Sequence, residues 1–144
     1  MRNMVKKPAY KLLDHTADFG IHVFGDTATS LFQNAAMALM DQLVETVDLL
    51  AREERRMVIQ GNDWPDLMVN WLREILYLWV GKELFARSIQ IESIAEKCLT
   101  AHLWVDPFSA ERHKLISEIK AVTYHQVQVF ETDNCWEAKV IFDI

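Results

Sequence analysis

A chain of 144 residues that is 51% hydrophobic fits one domain, residues 1–144, with a real core. Its net charge of −6 argues against a primary nucleic-acid binder, whose affinity comes from Lys and Arg neutralising phosphates, and its basic groups are scattered. Cys98 and Cys135 lack metal-type spacing, the basic N-terminal segment lacks the apolar core of a secretion signal, and no apolar run reaches membrane-spanning length, so a reduced, cytoplasmic setting without membrane contact is expected.

In chain order, Tyr10 to Leu13 reads as a short strand leading into an acidic turn, Asp14-His15-Thr16-Ala17-Asp18. Phe19, Ile21 and Val23 share one face of a second strand, which Gly25-Asp26 ends. Thr27 suits a helix cap, and Leu31, Phe32, Ala35, Ala36, Leu39, Met40 and Leu43 follow at helical spacing. Residues 44–54 read as a connection and 55–60 as a short strand. Pro65 fits the first turn of a second helix, with Met68, Trp71, Leu72, Ile75, Leu76 and Trp79 as its stripe. The remainder reads as sheet: Ile89 and Ile91; Leu99 to Val105, stopped by Pro107; Ile119, Ala121, Val127 and Val129 on one face; and Trp136 to Phe142 after an Asp133-Asn134 turn. This order predicts an α+β fold, two-layer, with a mostly antiparallel sheet and two main helices packed on one face.

Two carboxylates and an imidazole within five residues, joined to an apolar strand, can hold a hard cation or a partner's charged group. The sequence also closes on Asp143-Ile144, and the expectation is that these two regions meet in space. Asp18 alone is compatible with a ligand or with a residue that braces a turn. Asp14 can orient His15 or a metal-bound water, or stand in solvent, and His15 can donate to a carboxylate, face a partner or serve as a structural histidine. Imidazole is a poor ligand for a hard cation, so His15 is left out of the ligand set. Strand alternation puts Lys120 and Tyr124 on one face and His125 on the other, which separates three groups able to move protons. His125 then reads as a core residue, Lys120 as a possible partner of Asp14 or Asp18, and Trp104, opposite the inward face of its strand, as a contact residue.

Five segments, in this order, resemble the archease family: residues 14–21, Trp71-Leu72-Arg73-Glu74-Ile75-Leu76, Glu111-Arg112-His113, residues 119–125 (Ile-Lys-Ala-Val-Thr-Tyr-His), and Val140-Ile141-Phe142-Asp143-Ile144. The resemblance implies a small α+β protein without catalytic activity of its own, the protein cofactor of RtcB-type RNA ligases in tRNA splicing and RNA repair. Such a protein promotes guanylylation of the ligase and restores its turnover. It further implies a divalent metal, calcium before magnesium or manganese, held by Asp18, Asp143 and Ile144, the last through backbone or terminal oxygens. Asp14, His15 and Lys120 remain candidates for supporting the metal or facing the ligase. Where the family has Gly-Glu before its central loop, this chain has Val105-Asp106. A stand-alone hydrolase finds no support in a Gly-rich phosphate loop, Cys–His pair or two-metal carboxylate cluster. The other alternative is a metal-binding, chaperone-like interaction module with no role in ligation.

Overall fold

The computed structural model describes residues 9–13 and 19–144. Its strands are β1 (Tyr10–Leu12), β2 (Phe19–Gly25), β3 (Glu53–Gln60), β4 (Leu84–Ala95), β5 (Cys98–Pro107), β6 (Ala121–Val122), β7 (Gln128–Glu131) and β8 (Trp136–Asp143); its helices are α1 (Ala28–Leu43) and α2 (Trp64–Lys82). The α+β class is as expected, and all the strand pairs are antiparallel. The strands divide into two sheets, however. One runs β1-β2-β8-β6 with β7 also on β8, and the other runs β3-β5-β4.

Local chemistry starts and stops the helices. Thr27 caps α1: its hydroxyl accepts from the Ser30 N–H while the Ser30 hydroxyl accepts from the Thr27 N–H, a reciprocal capping box. Asp63 caps α2 by accepting from the Asp66 N–H, with Pro65 in the first turn. The last turn of α2 ends at Lys82, because Glu83 takes a left-handed φ of 55° and Phe85 enters β4.

Both helices bury an arc wider than one stripe. On α1 the consecutive residues Leu31 and Phe32, Ala35 and Ala36, and Ala38 to Met40 are all inaccessible. Each helix accordingly touches strands of both sheets, and the helices touch each other. The Trp71 indole N–H donates to the Phe32 carbonyl across the α1–α2 contact at 2.8 Å, which satisfies a polar atom at full burial. The strict alternation of Leu99, Ala101, Leu103 and Val105 is realised as the buried face of β5. No described helix is long and apolar enough to cross a membrane.

The strand expected through residues 119–129 is interrupted. It is split into the two-residue β6 and a separate β7 by a turn in which the Val127 N–H bonds to the Tyr124 carbonyl and Gln126 has φ 52°. His125 lies in that turn and is exposed, so its reading as a core residue is corrected. Among the described residues the buried histidine is His113, and Trp104 is half-buried, its ring stacked on His102 at 4.4 Å.

Candidate metal centre

β2 and β8 pair along their whole lengths, from Phe19 opposite Phe142 to Gly25 opposite Trp136. The pairing is set by alternation: Ile21 and Val23 on one strand and Ala138, Val140 and Phe142 on the other are buried in one core. Gly20 is required within it, since a Cβ there would stand 2.4 Å from the Val140 carbonyl oxygen. Phe19 and Phe142 place their rings 5.9 Å apart at the end of the ladder.

Beyond Phe142 the backbone is held from the other side. The Lys120 N–H donates to the Asp143 carbonyl at 2.7 Å, and the Thr123 N–H and hydroxyl both donate to the Ile141 carbonyl, at 3.0 and 2.9 Å. The Asp143 side chain and Ile144 are exposed, and the Asp143 carboxylate has no hydrogen bond or ion pair among the described residues. These donors are oxygens only, which suits a hard cation. Asp14, His15 and Asp18 lie outside the described residues, as does any pairing of Lys120 with Asp14 or Asp18. Among the described residues no group of three or more His, Cys, Asp or Glu side chains is arranged to hold a metal ion.

The segment that carries Lys120 and Thr123 is clasped to α2. The Arg73 Nε donates to the Val122 carbonyl at 3.1 Å, and its guanidinium lies 4.7 Å from the centre of the Tyr124 ring. The Tyr124 hydroxyl donates to the Asp66 carboxylate at 2.6 Å. That bond raises the tyrosine's pKa and, with the Asn62 N–H, lowers that of Asp66. Tyr124 is therefore a fastening rather than a proton carrier.

A second polar cluster, not anticipated as such, sits where β5 ends. Asp106 is fully buried and accepts from both Arg112 guanidinium nitrogens (2.9 and 3.0 Å), the Leu50 N–H (2.9 Å) and His113 Nε2 (2.9 Å). The Ser109 N–H donates to His113 Nδ1, so the ring proton sits on Nε2 and points at Asp106. Burial pushes Asp106 upward, but these donors outweigh it and bring its pKa down to about 2. Arg112 and His113 were visible as a motif. The signal for their partner was the acidic residue at 106, at the end of the apolar alternation of β5.

The model of the archease protein family matches residues 10–144. The chain belongs to the archease family. The archease of Methanosarcina mazei is 34% identical over 139 residues, covering 94% of this chain and 95% of the relative. That of Archaeoglobus fulgidus is 34% identical over 137 residues, covering 94% and 98%. Among solved structures, protein 1598 of Methanobacterium thermoautotrophicum superposes with a TM-score of 0.79 at 29% identity, covering 94% of this chain and 99% of that one. The Thermotoga maritima archease, described as a possible chaperone, gives 0.63 at 19% identity over 99% and 100%, a likeness of fold alone. The archease match spans the acidic turn, the Arg73 clasp, the Asp106 cluster and the end of β8.

Proposed function

We propose that this archease-family protein is an accessory factor that activates an RtcB-type RNA ligase, in tRNA splicing or RNA repair, by promoting guanylylation of the ligase and its multiple turnover. It would do so with a divalent cation, calcium before magnesium or manganese, held by Asp18, Asp143 and Ile144. The observation that carries this reading is the β2–β8 register. Phe19 is covalently next to Asp18 and Phe142 is covalently next to Asp143, and these two phenylalanines are directly paired. Antiparallel partners have Cα atoms within about 5.5 Å, so the residues adjoining the two distant sequence motifs lie side by side, which supports the reading.

When bound, the cation offsets charge on the phosphate oxygens of the nucleotide. The chain's own contribution is positional: Lys120 and Thr123 hold the backbone of residues 141–143, leaving the Asp143 carboxylate facing outward. The acidic balance favours action through a partner protein over direct RNA contact.

The test is the ligase reaction with GTP and RNA ends at limiting enzyme, with and without this protein. Stimulation by the wild type, reduced more than tenfold by Asp143→Ala with an unchanged melting temperature, is expected. Full stimulation by Asp143→Ala would remove the metal centre. Hydrolysis of RNA or nucleotide by this protein alone would replace the accessory role with an enzymatic one.

A further inference from the structure

Beside the candidate metal centre, the C-terminal turn of α2 and residues 115–120 enclose a groove of about 530 Å³. We propose that this groove docks an apolar, lysine- or arginine-bearing segment of the partner protein; the partner's identity as the ligase rests on the reading above. Three aliphatic side chains line it while standing largely in solvent: Val80 at 60% exposure, Ile116 at 52% and Leu115 at 48%. Their backbone is not loose. The Ile116 N–H donates to the Leu43 carbonyl, and Leu115 bridges to Val44, so the residues are presented on a fixed support. A built apolar surface of this kind marks a protein contact.

Charge selects the occupant. Glu83 and Glu118 also line the groove, two carboxylates against the one ammonium of Lys120, and neither carboxylate forms an ion pair among the described residues. The last turn of α2 lines the groove through Trp79 and Val80, and its carbonyl end adds partial negative charge. The Lys82 ammonium is set 5.9 Å over the Tyr77 ring. A cationic side chain flanked by aliphatic ones complements this surface, whereas a nucleic-acid backbone is repelled by it. Position gives the contact a purpose. Lys120 lines the groove and also donates its N–H to the Asp143 carbonyl, so a segment seated here lies against the strand that holds the candidate ligand.

The experiment measures binding of the full-length protein to the ligase, and calcium binding to the protein alone by calorimetry. The wild type is expected to bind the ligase; Val80→Asp, Ile116→Asp and the charge reversal Glu118→Lys are each expected to weaken binding at least tenfold. Melting temperature stays unchanged, because all three side chains are on the surface, and calcium affinity changes far less than ligase affinity, in the direction of each added charge. Equal ligase binding by wild type and all three variants overturns the groove and leaves the accessory role standing. No ligase binding by the wild type overturns both. A dimer in sedimentation that Ile116→Asp dissociates assigns the groove to a second copy of the chain and overturns the proposal.

Discussion

The carboxylate of Asp106 receives four hydrogen bonds from three residues and is out of contact with water. Removing a charge from solvent is tolerated only when its lone pairs are refilled this completely. Because its pKa is depressed in the fold, Asp106 stabilises the protein at pH values above its unfolded value. That contribution, about 2 kcal/mol, is lost as pH falls from about 4 through about 2. Asp106→Asn is expected to cost about 3 kcal/mol at neutral pH, since Arg112 and His113 lose the charge they converge on. It should also flatten the acid limb of stability, and urea denaturation at pH 7 and pH 3 measures both. This cluster was hidden in the sequence for a physical reason. Alternation along β5 assigns Val105 to the core and Asp106 to solvent, but the turn through 109–113 folds back and covers the far side of the strand. Periodicity reports one neighbouring layer and cannot see a loop that supplies another.

At the level of elements, the clasp between α2 and the segment 120–124 governs how well the end of β8 is held. Arg73→Ala removes the donor to Val122 and the cation over Tyr124. Faster amide exchange at Lys120 and Thr123 is expected, together with a severalfold loss of calcium affinity and little change in melting temperature. Unchanged exchange would make the clasp incidental. Gly20→Ala drives a Cβ against the Val140 carbonyl and should cost about 1–3 kcal/mol, read as a lowered melting temperature. The two helices were legible because an apolar period and a start signal agree in each, Thr27 for α1 and Pro65 for α2; the Asp63 cap is added by the structure. Residues 119–129 were not, since their alternation continues through Thr123 and His125 as though the strand did. The break is made by tertiary fastening of Tyr124 to Asp66 and by the left-handed Gln126, neither of which leaves a local signature.

Across the whole molecule, β8 is the member on which its sheet depends, since β2, β6 and β7 all pair with it. Deleting residues 136–144 is expected to abolish cooperative unfolding rather than lower its midpoint, because three strands lose their ladder and Ala138, Val140 and Phe142 leave the core. A calorimetric scan of the truncated chain checks this. The α+β class followed from the order of elements, but the division into two sheets did not. Which strand pairs with which is decided by contacts between residues far apart in the chain, as between Phe19 and Phe142.

That arrangement has a temporal side. During synthesis β2, which ends at Gly25, leaves the ribosome with one of its edges open, and its partner β8 begins only at Trp136. Until then α1 and α2 can form, yet the sheet built on β8 has no middle, and the loop that must close runs from Gly25 to Trp136. A nascent copy therefore carries an unmated β2 edge until β8 is made, and the pairing of Phe19 with Phe142 forms only then.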